Sequence, residues 1–283
     1  MKKVLITGAN GQLGCCLKEA VKAYPEIEFQ FLDKYTLDIT DASQVASFFK
    51  QTRFDYCINT AAYTNVEKAE SDKENAFLVN AEGVKNIANA CKDHRIILMH
   101  ISTDYVFDGT QKTPYLETDL PNPINVYGAS KRKGEHYIET ICEQYFIIRT
   151  SWLYSQFGHN FLKSIIRFAK EKKELTITTE QLGTPTNAND LALVLLKIIL
   201  LDLKEYGMYH FSNSGEATWF DFAKSIIDYS GDSQKVNVVK TDYYPTFAKR
   251  PTYSVLNTRK IENLLNFNAA PWQISLKNVI RKL

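Results

Sequence analysis

Tyr127 and Lys131 stand four residues apart in Asn-Val-Tyr-Gly-Ala-Ser-Lys, residues 125–131. On a helix that spacing puts both side chains on one face, one turn apart. A lysine ammonium beside a phenol favours the phenolate, lowering a pKa that is ~10 when unperturbed. A tyrosine placed in this way is a usable acid or base near neutral pH. The spacing alone is weak, because a chain of 283 residues contains such pairs by chance. Its meaning depends on two other stretches, Gly8-Ala-Asn-Gly11-Gln-Leu-Gly14 near the N-terminus and Ser102-Thr103-Asp104-Tyr105 just upstream.

The glycine stretch follows the buried-strand text Val4-Leu5-Ile6 and opens a helix. Glycines there permit a tight turn, let the backbone approach a pyrophosphate, and let the helix pack closely on the strand. The pyrophosphate would meet free N–H groups at the positive end of that helix. The expected cofactor is therefore NADPH or NADH. Asp33 ends the second strand, 19 residues after Gly14, where an acidic residue bonds the adenosine ribose hydroxyls. A carboxylate there favours NAD, whereas the adjacent Lys34 could accommodate the 2′-phosphate of NADP. Asp38 and Ile39 could edge the adenine, and Ala61, Ala62 and Tyr63 could pass near the cofactor's middle. With hydride delivered from that cofactor, Thr103, Tyr127 and Lys131 make a reductase constellation. Thr103 would polarise a carbonyl, Tyr127 would deliver the proton, and Lys131 would hold the nicotinamide ribose.

These residues need a scaffold, and the first half of the chain supplies its text. Strands are expected at 4–6, 29–32, 56–59, 96–102 and 146–148, alternating with helices to about 23, at 41–51, 66–79, 80–93 and 127–144. Asp41-Ala-Ser-Gln44 has the form of a capping box. Such alternation implies an α/β fold, a Rossmann-type doubly wound parallel sheet whose ligands bind beyond the carboxyl ends of its strands. Residues 1–150 are read as the dinucleotide-binding domain. Residues 151–283 are read as a smaller α/β substrate lobe, with strand 208–211 or its neighbours able to rejoin the main sheet.

Composition narrows the classes further. Thirty-four basic and 32 acidic residues leave a net charge of +2, which argues against a polyanion-binding surface and hence against a nucleic-acid partner. Five cysteines with no C-x-x-C pair read as reduced thiols of a cytoplasmic protein. No apolar run reaches the ~18 residues of a membrane-spanning helix, and no signal peptide is visible. His94, His100, His136, His159 and His210 lack ligand spacing, so they read as structural or surface groups and no metal is expected. Trp219-Phe-Asp-Phe222 reads as core.

In these residues the chain resembles the extended short-chain dehydrogenase/reductase superfamily, and within it the dTDP-4-dehydrorhamnose reductases. The resemblance is carried by 8–14, Asn-Thr-Ala-Ala-Tyr-Thr-Asn-Val-Glu-Lys-Ala-Glu (59–70), Ser-Thr-Asp-Tyr-Val-Phe-Asp-Gly (102–109) and 125–131. It continues through Arg-Thr-Ser-Trp-Leu-Tyr (149–154), Gln-Leu-Gly-Thr-Pro-Thr (181–186) and Arg-Pro-Thr-Tyr-Ser-Val-Leu-Asn (250–257). It implies reduction of the 4-keto group of dTDP-4-dehydro-6-deoxy-L-mannose to dTDP-L-rhamnose, with Thr103, Tyr127 and Lys131 as the catalytic trio. It also implies cofactor contacts at Gly11, Gln12, Leu13, Asp33, Asp38, Ile39 and Ala62-Tyr63-Thr64. Asp104 and Trp152 fall where the family contacts the sugar, and Asn160, Gln181 and Arg250 at nucleotide-diphosphate positions. The implied partner is a dTDP-sugar, and a homodimer is compatible with the chain. Two alternatives stay open: a regulatory subunit resembling that of methionine adenosyltransferase, and a reductase or epimerase of another nucleotide sugar. Cys15-Cys16 departs from the family pattern but leaves the glycines intact.

Overall fold

The computed structural model describes residues 1–232 and 234–283. Its first half runs β1 (Lys2–Thr7), α1 (Gln12–Ala20), β2 (Ile27–Leu32), α2 (Ala42–Gln51), β3 (Tyr56–Asn59), α3 (Val66–Ala69), α4 (Lys73–Phe77), α5 (Gly83–His94), β4 (Ile97–Thr103), α6 (Val126–Ile141) and β5 (Tyr145–Thr150). The second half runs β6 (Leu153–Tyr154), α7 (Phe161–Glu171), β7 (Glu174–Thr178), β8 (Leu182–Gly183), β9 (Thr186–Asn187), α8 (Ala188–Leu200), β10 (Gly207–His210), β11 (Ala217–Thr218), α9 (Trp219–Ser230), β12 (Asn237–Thr241), α10 (Arg259–Leu265) and α11 (Trp272–Ile280).

Six strands form one sheet in the order β2-β1-β3-β4-β5-β10, with every neighbour parallel. The chain crosses from β2 back past β1 to β3, so the carboxyl ends of β1 and β3 flank the point where strand order reverses. Ligands bind at that point in open α/β sheets. Strands β3 and β4 are buried almost throughout, because apolar helices cover both faces. Leu5, Cys57, Leu98 and Ile147 pack under α2, α5 and α6 on one face. Val4, Ile58, Met99 and Ile148 pack under α1 and α8 on the other. Strand β10 joins the sheet at its far edge beside β5, as the text at 208–211 allowed. A separate apolar cluster joins α7, α9 and α11 through Leu162, Phe222, Ile226 and Leu276.

Three local features differ from expectation. Asp41 caps α2 by accepting from the Ser43 and Gln44 N–H groups. The Gln44 side chain, however, accepts from Asp38 N–H and not from the cap residue, so the box is half closed. Helices expected at 66–79 and 80–93 break instead at residues 70–72, and a π-helical turn at Leu78–Glu82 carries α4 into α5. Such turns often accompany functional sites. Here the turn aims Asn80 at the loop after β3, where its amide accepts from Tyr63 N–H at 2.8 Å and donates to Tyr63 O at 2.9 Å. Helix α6 ends at Ile141, short of 144.

Candidate active site

Asn125 fixes where α6 begins. Its side-chain oxygen accepts from Gly128 N–H at 2.7 Å, and its amide donates to Lys249 O at 2.8 Å. Glu70 accepts the Val126 N–H, tying α3 to the same helix end. A Cβ at Gly128 would overlap the carbonyl of Tyr105, so this glycine lets α6 lie directly against the end of β4. Tyr127, in the first turn, is half-buried, with its ring edge-on to Tyr105 at 6.0 Å.

Thr103 and Asp104 close β4 beside it. The Thr103 hydroxyl donates to Asp104 Oδ1 at 3.1 Å and accepts from Tyr105 N–H at 3.2 Å. Asp104 Oδ2 is buried without a partner, and burial pushes the carboxyl up to about 7. Lys131 is 2% exposed. Its Nζ donates to Ile101 O at 2.7 Å and lies 3.1 Å from His100 Nε2. Burial lowers the Lys131 pKa to about 8, against the opposing charge of Glu135. The expected lowering of the tyrosine by this lysine is not what the structure shows. Tyr127 is pushed up to about 12, first by burial and then by the Asp104 charge, while the Thr103 hydroxyl pulls it down. The physical reason is that Lys131 Nζ is turned to the β4 backbone at Ile101 O and to His100, away from the phenol.

The glycine turn fits a dinucleotide. Gly8 has φ 68°, and a Cβ there would stand 2.5 Å from Ala61 N, so the turn closes against the loop after β3. Gly11 caps α1 in an extended conformation, and no side chain bonds the first N–H groups of the helix. An uncapped helix start behind a bare backbone turn suits a pyrophosphate. Gln12 and Leu13 would contribute backbone only. The Leu13 side chain is core, and Gln12 bridges to Leu153 O and Asn160.

Asp33 sits at the end of β2 with Oδ1 accepting from Tyr35 N–H, Thr36 N–H and the Thr36 hydroxyl, and Oδ2 from Asn10. These bonds, those of Thr36 first, hold its carboxyl below the usual range. Asp38 is exposed and closes a turn onto Thr40. Ile39 is buried in the core beneath Gly83. Ala61, Ala62 and Tyr63 line the end of β3 half-buried, and Thr64 is exposed.

Across the cleft, Trp152 has φ 44° and stacks on Trp219 with centroids 3.7 Å apart. Gln181 accepts from Trp219 Nε1 at 2.9 Å. The Arg250 guanidinium donates to Glu67 at 2.6 Å and keeps a buried, unpartnered Nε. Asn160 is committed within the protein. Its amide N–H groups reach Gln12, Ser155 O and Phe157 O, and its oxygen caps α7. Thr103, Asp104 and Tyr127 thus meet at the end of β4, and Lys131 lies buried one turn further along α6.

Glu67 and Asn80 escaped the sequence reading, and His100 and Trp219 were read only as structural and core groups. Glu67 accepts from Phe247 and Ala248 N–H as well as from Arg250. Only its place in the Asn-Val-Glu-Lys-Ala-Glu stretch could have flagged it. Trp219, read as core, is half-buried and forms one face of the stacked indoles.

Sheet order, glycine turn and the meeting of β4 with α6 define the class: an extended short-chain dehydrogenase/reductase. The family described as the RmlD substrate binding domain matches residues 1–283. A dTDP-4-dehydrorhamnose reductase of Aggregatibacter actinomycetemcomitans is 40% identical over 290 residues, covering 99% of this chain and 98% of its own. The crystal structure of a dTDP-4-dehydrorhamnose reductase from Clostridium acetobutylicum superposes with TM-score 0.94 at 40% identity, covering 99% of each chain. That of the Bacillus anthracis enzyme in complex with NADP gives 0.94 at 40% identity, covering 100% of each. The chain belongs to the dTDP-4-dehydrorhamnose reductase family. Among the described residues no helix is long and apolar enough to cross a membrane.

Proposed function

We propose that this chain reduces the 4-keto group of dTDP-4-dehydro-6-deoxy-L-mannose to dTDP-L-rhamnose in the cytoplasm, with Tyr127 as proton donor. The observation that carries this reading is the juxtaposition of Thr103, Asp104 and Tyr127 at the mouth beside the glycine turn. A bound NAD(P)H supplies the hydride to the carbonyl carbon. Gly8, Gly11 and Gly14 cradle its pyrophosphate, with Asp33 on the adenosine ribose and Lys131 on the nicotinamide ribose.

Tyr127 gives its phenolic proton to the carbonyl oxygen as the C–O double bond becomes a single bond. Its pKa of about 12 keeps it protonated at neutral pH, which is the form a donor needs. The Thr103 hydroxyl turns its hydrogen from Asp104 to the same oxygen. Asp104 and Trp152 bind the sugar, and Arg250 offers its unpaired Nε–H to the diphosphate. Gln181 keeps its amide N–H groups for the nucleotide while its oxygen holds Trp219.

The test is product analysis of the purified protein against dTDP-, UDP- and GDP-linked 4-keto sugars, each with NADH and NADPH. Turnover is expected with the dTDP-linked sugar. Cofactor and dTDP binding without turnover of any sugar would overturn the reading and favour a regulatory subunit.

A further inference from the structure

His100 is fully buried in the centre of β4, and the strand register places it in a row. Thr7 lies opposite Asn59, and Asn59 opposite His100. All three face α6, from which Lys131 reaches down. The direction of each hydrogen bond in the row can be assigned from atoms that have no choice. Ala61 N–H, which can only donate, meets Asn59 Oδ1 at 3.2 Å, and the Thr7 hydroxyl meets the same oxygen at 2.7 Å. The Asn59 amide nitrogen therefore faces His100 Nδ1, 3.2 Å away. That nitrogen also only donates, so Nδ1 must accept, and the proton of the neutral ring sits on Nε2. Burial keeps the ring neutral. The Nε2–H then points at Lys131 Nζ, 3.1 Å away. An ammonium there would set two donors face to face, whereas a neutral amine accepts the bond.

We propose that Asn59 and His100 are positioning residues that set the proton affinity of Lys131. They weaken its hold on the proton while it lies against the ring, and cofactor hydroxyls and the phenol draw it away as the ammonium. The inference rests on the proposed cofactor role of Lys131. Other charged groups near Lys131 come from each packed element. Glu135 on α6 favours the ammonium but is itself held by a bidentate pair with Arg149 of β5 and by Arg132 of α6. Asp104 of β4 faces Tyr127. None of these opposes the ammonium as the ring N–H does.

NADPH binding to the purified full chain, followed by cofactor fluorescence across the range on either side of the Lys131 pKa of about 8, tests this without any sugar. Failure of the sugar reading would therefore leave the test intact. Wild-type affinity is expected to weaken as pH rises through that value. Asn59→Asp keeps an oxygen for Ala61 N–H and Thr7, and turns the second oxygen to Nδ1. The ring proton then moves to Nδ1, Nε2 accepts from the ammonium, and the inflection should rise by about one pH unit. Because that variant adds charge, His100→Gln is the deciding one. Its amide oxygen can face the ammonium, and it should shift the inflection upward too, with His100→Asn replacing it if it does not fold. An absent wild-type inflection, or one unmoved by the His100 variant, overturns the proposal.

Discussion

The indoles of Trp152 and Trp219 stack 3.7 Å apart and within 8° of parallel, and Trp152 holds this position with a left-handed backbone. A bulky residue at positive φ costs about 1–3 kcal/mol and persists where surrounding packing enforces it. Room for the ring comes from Gly183, where a Cβ would stand 2.7 Å from the Trp152 ring. Gly183→Ala should therefore push the indole off its stack. We expect KM for the sugar nucleotide to rise about tenfold, the effect of ~1.4 kcal/mol of lost binding, with NADPH affinity unchanged. Steady-state kinetics beside a cofactor titration check this.

Tyr127→Phe removes the proposed proton donor while keeping the ring against Tyr105. General acids contribute ~10²–10⁴-fold, so kcat should fall by about that factor with cofactor affinity kept. Single-turnover kinetics with NADPH separates this loss from one of binding.

Asp104 holds its proton far above the ordinary carboxylate range, at about 7. Between the two values the folded protein binds a proton that the unfolded chain has released. The contribution is intact below the unfolded pKa and is lost as pH rises through the folded one. The loss is on the order of 4 kcal/mol. His210, held neutral with its pKa down at about 3, acts with the opposite sign, its stability being lost as pH falls below the ordinary histidine value. Comparing wild type with Asp104→Asn by denaturant unfolding isolates the carboxyl. The variant should gain relative stability as pH climbs to 8, and a flat difference would refute the assignment.

Glu135 and Arg149 form a buried bidentate pair, both bonds at 2.8 Å. Removing one partner strands the other charge, which costs about 3–5 kcal/mol. Glu135→Ala should lower stability by that amount in denaturant unfolding, because it leaves the buried Arg149 guanidinium without its carboxylate.

The sheet was legible because period and burial agree: strand texts such as Ile96–Ser102 admit only a doubly covered strand, and the glycine turn had one place to sit. The place of the glycine turn between β1 and α1 followed from that. Side-chain commitments were not legible. Asn160 looks free in the text yet spends both amide hydrogens on Gln12, Ser155 and Phe157, which lie close only after folding. Ile39 likewise reads as a loop residue until Gly83 is seen above it. The Lys131–His100 contact joins residues 31 apart in the chain, and no local spacing announces it.

The central claim is hydride transfer to a sugar ketone, and the most direct measurement follows the hydrogen itself. With NADPH deuterated at the transferring position and dTDP-4-dehydrorhamnose as substrate, NMR of the product should find one deuterium on C4 of dTDP-L-rhamnose per cofactor oxidised. Cofactor that binds without oxidation, or oxidation that leaves C4 without deuterium, would contradict the account.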